Sequence, residues 1–271
     1  MIVDYHMHLR SPTEEIEHTV GAVERFVETA DRRGIDEIGF TEHVYYFRET
    51  LELWDIPYQY ERCCYELEGY CDAVVEAKRQ GYPVKLGLEV DWVPSRADRL
   101  AELLRPYPWD YLLGSIHFID GLGIDAPPSL IEKIEIGPAF DRYFDELTDL
   151  AGSGLVDVLA HPDLVKFFGR RPDEPRLRRL HAEAASRLGR TGVALEISTA
   201  GLHKPVGELY PDPQLLALAR AEGVPITLAS DAHSPQNLGR DLDRAIEHAR
   251  DAGYDTITVF DERGARQEPL G

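Results

Sequence analysis

Seven short apolar runs, each followed by a helix-like stretch, limit what this chain of 271 residues can fold into. The runs lie at about 2–9, 36–42, 84–91, 111–118, 156–161, 193–198 and 225–230. Each is rich in β-branched or large residues and lacks the strict alternation of a half-exposed strand, the pattern of a strand covered on both faces. Helix-like stretches at 17–33, 58–80, 94–105, 138–152, 174–191, 212–222 and 239–252 separate them. Gly34, Gly81, Gly223 and Gly253 close four of these stretches, where a left-handed cap turns a helix into the next strand.

Helical crossovers imply parallel strands, so the expected fold class is α/β, and this many units predict a closed or nearly closed barrel. An open doubly wound sheet would gather its chemistry at one switch point. Here the polar residues fall at the C-terminal ends of six runs, where barrel enzymes collect their active sites. No linker or repeat divides the chain, so residues 1–271 are expected to form a single domain. The last run, 256–260, ends without a ligand-type residue.

The polar stations are metal-friendly. His6 and His8 stand two apart on a strand and so point to one side. His43, Glu89, His117, His161, Asp231 and His233 close later runs. Imidazole and carboxylate together suit zinc, iron or manganese better than calcium or magnesium. His18, His181 and His248 fall in helix-like stretches and are expected to be ordinary structural histidines. A net charge of −20 argues against nucleic acid or an anionic membrane as partner, while bound divalent ions would still allow an anionic substrate. Cys63, Cys64 and Cys71 have no zinc-finger spacing and read as free thiols in a helix. With no signal-like segment, a cytoplasmic protein is expected. Two long connections, 44–57 and 119–137, leave the ligand-bearing face and are candidate lids.

In order, the set H-x-H, E-H, G-L-E, G-S-x-H, A-H-P and S-D-A-H resembles the PHP (polymerase and histidinol phosphatase) family across nearly the whole chain. The surroundings of His117, of His161 to Lys166 and of Glu196 to Pro205 resemble its histidinol-phosphatase branch. The resemblance implies a distorted (β/α)7 TIM-like barrel holding two or three divalent ions. It places His6, His8, Glu89 and Asp231 on the first ion and Glu89, His117 and His161 on the second. His43 and His233 fall on the third. Glu14 stands where the family often has a further histidine, and His203 where the related motif has arginine.

The implied reaction is hydrolysis of a small phosphate monoester, most naturally L-histidinol phosphate, without a covalent phospho-enzyme. Asp231 or His233 is expected to serve the leaving alkoxide as proton donor. Lys166, Arg170, Arg171, His203 and Lys204 are expected at the phosphate. Another phosphoester (a nucleotide, sugar phosphate or phosphotyrosine) and a non-catalytic metal-binding regulatory domain are the alternatives. Oligomeric state is left open.

Overall fold

The computed structural model describes residues 1–9, 17–131 and 134–271. Its strands are β1 (Val3–Asp4), β2 (Glu37–Phe40), β3 (Val84–Leu86), β4 (Glu89–Asp91), β5 (Leu113–Ser115), β6 (Phe118–Ile119), β7 (Leu122–Gly123), β8 (Val158–Leu159), β9 (Ala194–Ser198), β10 (Ile226–Ala229), β11 (Thr256–Asp261) and β12 (Gly264–Pro269). Its helices are α1 (Val20–Arg33), α2 (Pro57–Tyr60), α3 (Leu67–Arg79), α4 (Ala97–Leu104), α5 (Pro128–Ile131), α6 (Ile136–Gly152), α7 (Glu174–Leu188), α8 (Pro213–Ala221) and α9 (Leu242–Asp251).

One parallel sheet runs β1-β2-β3 and a second runs β10-β9-β8-β5-β4. The fold is therefore mixed α/β with parallel sheets. Hydrogen bonds join the sheets at both margins. Tyr5 N–H donates to Leu228 O at 3.0 Å and His8 N–H to Ala232 O at 2.8 Å. On the other side, Glu89 N–H donates to Glu42 O at 2.9 Å and Asp110 N–H to Leu86 O at 2.8 Å.

The run 84–91, expected as one strand, divides at Gly87 and Leu88. Packing explains the interruption. The Gly87 carbonyl accepts the Tyr70 hydroxyl at 2.8 Å, and a Cβ on Gly87 would lie 2.7 Å from Cζ of Tyr111.

Local signals explain most helix ends. Thr19 caps α1 by accepting the Ala22 N–H, and Val23, Phe26 and Ala30 form its buried stripe. Gly34, Gly81, Gly223 and Gly253 all adopt positive φ just before the next strand. The stretch 58–80, expected as one helix, is two: residues 61–66 between α2 and α3 leave the helical path. Tertiary contacts win there, because Cys64 and Tyr65 N–H both donate to Tyr46 O at 3.0 Å and Arg48 N–H donates to Tyr65 O at 2.9 Å. Of the three free thiols, only Cys71 therefore lies in a helix.

The C-terminal hairpin β11–β12 stands outside the parallel sheets and covers the N-terminal ends of their strands. Phe260 packs on Tyr111 and Tyr5, with ring centroids 5.4 and 6.0 Å away. Lys85 Nζ lies 2.8 Å from Asp261, and Arg263 N–H donates to Asp110 O at 2.9 Å. Sequence reading did not anticipate β12, whose residues are almost all exposed.

Phe260→Ala should lower unfolding stability by about 3–5 kcal/mol, the usual cost of deleting a buried ring. Urea denaturation would measure it; a change below ~1 kcal/mol would show that this ring is not part of the packing.

Candidate metal centre

The candidate ligands converge because each follows, or opens, a buried parallel strand. His6 and His8 follow β1, His43 follows β2, Glu89 opens β4, His117 follows β5, His161 follows β8, and Asp231 and His233 follow β10. Eight of the nine expected metal residues meet in one place. Glu14 lies outside the described residues.

Glu89 is the hub. Its Oε2 lies 2.6 Å from His43 Nδ1, 3.5 Å from His6 Nε2 and 3.7 Å from His8 Nε2. Its Oε1 lies 3.3 Å from Nε2 of both His117 and His161. Asp231 Oδ1 lies 3.6 Å from Nε2 of both His6 and His8 and 3.5 Å from His233 Nδ1. The sets His6–Glu89–His161, His6–His8–Asp231, His8–His43–His233 and His43–Asp91–His117 each bring their ligand atoms within 4.8 Å of one another. Several of these atoms are buried without a hydrogen-bond partner among the described residues, including His6 Nε2, His8 Nε2, His43 Nδ1 and Glu89 Oε2. Buried polar atoms left so are costly, and a shared cation satisfies them together. The donor set fits divalent transition metals.

Behind these side chains lies a layer of carboxylates to which sequence reading assigned no role. Glu196 Oε2 sits 2.8 Å from His6 Nδ1, and its Oε1 accepts the His161 N–H at 3.1 Å. Asp91 Oδ1 sits 2.7 Å from His117 Nδ1. Glu42 Oε2 lies 3.5 Å from His8 Nδ1, and its Oε1 accepts the Leu9 N–H at 2.8 Å. Such partners fix the tautomer and aim of a ligating imidazole. The signal was available, since each is a carboxylate within or directly beside an otherwise apolar run.

Charge coupling is strong. Burial alone would lower the His6 and His117 pKa values, but Glu196 beside His6 and Asp91 beside His117, with Glu89 near both, hold them well above the ordinary value. Burial would raise Glu89 and Asp231, yet the surrounding imidazoles hold both well below the usual carboxylate range. His43 and His233 are depressed by burial to about 3 and about 4. His161 and Asp231 also adopt left-handed backbone, with φ 26° and 52°. Strain of this kind concentrates at functional sites.

A cavity of about 480 Å³ opens onto the cluster. His43, Glu89, His117, His161, Asp231 and His233 line it, and both long connections contribute walls, through Tyr45 and Ile56 and through Gly121 and Gly123 to Pro127.

Of the five residues expected at the phosphate, Lys204 lines the cavity, the one lysine or arginine among the described residues to do so. Lys166 is buried beneath the loop against Asp163, at 2.9 Å, and Leu209 O, at 2.8 Å. Arg171 pairs with Glu208, and Arg170 donates to Ile134 O at 3.2 Å. His203 Nε2 lies 2.6 Å from Asp241. Nearness to a strand end does not fix which way a loop side chain points. Of the three histidines expected in helices, His181 meets Gln214 and His248 meets Pro211 O, whereas His18 precedes α1. His18 packs against Phe47, Tyr65 and Tyr70 with Nε2 3.8 Å from Glu42.

A parallel α/β chain whose strand ends gather imidazoles and carboxylates at a cavity defines a polydentate metal-binding protein. The PHP domain matches residues 4–200, and the chain belongs to that family. A probable histidinol-phosphatase of Deinococcus radiodurans is 32% identical over 264 residues, covering 95% of this chain and 96% of its own. The histidinol-phosphatase of Bacillus subtilis is 24% identical over 250 residues, covering 82% of this chain and 91% of its own. The crystal structure of a histidinol phosphate phosphatase from Lactococcus lactis, complexed with zinc, L-histidinol and phosphate, aligns with a TM-score of 0.75 at 22% identity, over 98% of each chain.

Raised imidazole pKa values stabilise the metal-free fold below their unfolded value of 6.5, and that contribution is lost as pH climbs through the higher folded values. Depressed Glu89 and Asp231 contribute above their unfolded values near 4 and lose that contribution in acid. The metal-free protein should therefore lose stability on the alkaline side of pH 6.5, and ion uptake near neutrality should release protons from the raised imidazoles His6, His8 and His117. Thermal melts with and without chelator, and calorimetry in buffers of differing ionisation enthalpy, test both. Uptake without proton release would contradict protonated His6 and His117 in the metal-free state.

Proposed function

We propose that this protein is a metal-dependent phosphomonoesterase that hydrolyses L-histidinol phosphate to L-histidinol, a step of histidine biosynthesis. The observation that carries this reading is Glu89, buried and shared by five imidazoles at the floor of a cavity of substrate size. The near full-length relative named as a probable histidinol-phosphatase supports it.

We read the two sheets, joined at both margins, as one distorted seven-position barrel and the chain as a single domain, with the centre at the C-terminal rim. His6, His8, Glu89 and Asp231 would hold a first ion, Glu89, His117 and His161 a second, and His43 and His233 a third. The ions are zinc, iron or manganese, two or three in number. Divalent ions in such a site acidify water and neutralise phosphoryl charge. A cytoplasmic setting suits the free thiols.

The chain's own residues do the rest. Glu196 and Asp91 hold protons on the outward nitrogens of His6 and His117, leaving the inward nitrogens as donors of lone pairs, and Glu42 stands 3.5 Å from the outward nitrogen of His8. The surrounding imidazoles hold Asp231 below the usual carboxylate range and burial depresses His233, which favours the unprotonated forms that ligation needs. Lys204 draws the phosphoryl group in. The Tyr58 ring lies 5.9 Å from that of Tyr45 and 6.0 Å from that of Phe118, centroid to centroid. All three line the cavity and present ring faces and edges to an imidazole while excluding water.

The deciding experiment is elemental analysis of purified protein, then phosphate release from a panel of monoesters with each metal restored. L-Histidinol phosphate should exceed a generic aryl phosphate in kcat/KM; equal rates would overturn the assigned substrate. Asp231→Asn should abolish turnover and lower metal content.

Lys204→Ala should raise KM for the phosphorylated substrate about tenfold, the value of one charge-assisted contact. Arg170→Ala and Arg171→Ala should change it less than about twofold. The opposite pattern in steady-state kinetics would return the phosphate end to the arginine loop.

A further inference from the structure

Tyr210 is fully buried and forms part of the cavity wall, beside His161, Asp231 and Lys204. Its position is over-determined. Ser198 N–H donates to Tyr210 O at 2.8 Å, and Tyr210 N–H donates back to Ser198 O at 3.1 Å. Gly201 lies so close that a Cβ there would stand 2.8 Å from Cε2 of the ring. Lys166 Nζ sits 5.3 Å from the ring centroid, and the His161 ring meets it edge-on at 6.3 Å.

Despite this fixed setting, the hydroxyl has no hydrogen-bond partner among the described residues. Other buried tyrosines are satisfied: Tyr143 donates to His161 O, Tyr111 to Tyr5 O and Tyr254 to Val224 O. An orphaned buried hydroxyl is destabilising unless an acceptor arrives. Burial and the nearby carboxylates of Asp163 and Asp231 push its pKa above the ordinary phenol value, so the proton stays in place.

A phosphoryl group has three non-bridging oxygens, while Lys204 is the one lysine or arginine among the described residues lining this cavity. A neutral donor adds a contact without adding further positive charge to the pocket.

We propose that Tyr210 is a phosphate-binding residue, its hydroxyl donating a hydrogen bond to a non-bridging oxygen of the substrate phosphoryl group and of the inorganic phosphate product. This rests on the phosphatase reading above. It assigns the second donor to a phenol on the segment leading into α8, in place of the basic loop residues that turn away.

The test is Tyr210→Phe in the full chain with metals restored, beside Tyr254→Phe as a control whose hydroxyl has a partner. Calorimetry with inorganic phosphate is the main readout, with metal content, melting temperature, kcat and KM alongside. Tyr210→Phe should weaken phosphate binding about 10- to 100-fold, with metal content unchanged and melting temperature unchanged or higher. Tyr254→Phe should lower the melting temperature and leave phosphate binding intact. Unchanged phosphate affinity in Tyr210→Phe overturns the proposal, as does a lowered melting temperature with lost metal, which would mark a structural hydroxyl. If the wild type binds phosphate through Tyr210 but does not hydrolyse L-histidinol phosphate, the substrate reading fails and this contact stands.

Discussion

A carboxylate removed from water must be compensated where it lies, and Glu89 is wholly buried. Its two oxygens face five imidazoles that arrive from β1, β2, β5 and β8 or the turns after them. No single loop supplies that company. Only parallel strands ending together at one face can, so the chemistry of one side chain and the topology of the sheets depend on each other. Conversely, the crowded imidazoles tolerate mutual approach because Glu89 and Asp231 remain ionised among them.

The two ends of the strands are built by different physics. At the N-terminal ends, Tyr5, Tyr111 and Phe260 pack as rings beneath a hairpin tied by Lys85–Asp261 and Arg263–Asp157. Apolar contact dominates there and fixes the frame. At the C-terminal ends, polar atoms outnumber their internal partners, and aromatic walls from two long connections enclose them. Separating frame from chemistry lets the loops vary without disturbing the core.

How far the sequence could be read follows from this division. The ends of β1, β5, β8 and β10 were legible because a histidine or carboxylate at the close of an apolar run has few structural excuses. Glu42, Asp91 and Glu196 were passed over, although a carboxylate in or beside a doubly covered strand carries the same message one layer further out. The direction of Lys166, Arg170, Arg171 and His203 was not legible, since short turns and neighbours such as Asp163 and Glu208 set it. Nor was the break at 61–66, imposed by the distant Tyr46 carbonyl, or β12, whose exposed residues carry no apolar pattern.

His161 and Asp231 occupy left-handed backbone that a side chain with a Cβ adopts only at a cost. That choice matters to anyone wishing to silence the site gently. Alanine would delete the functional group while retaining a conformational penalty of about 1 kcal/mol. Glycine at the same two positions would delete the group and relieve the penalty, leaving a quieter scaffold closer in shape to the original.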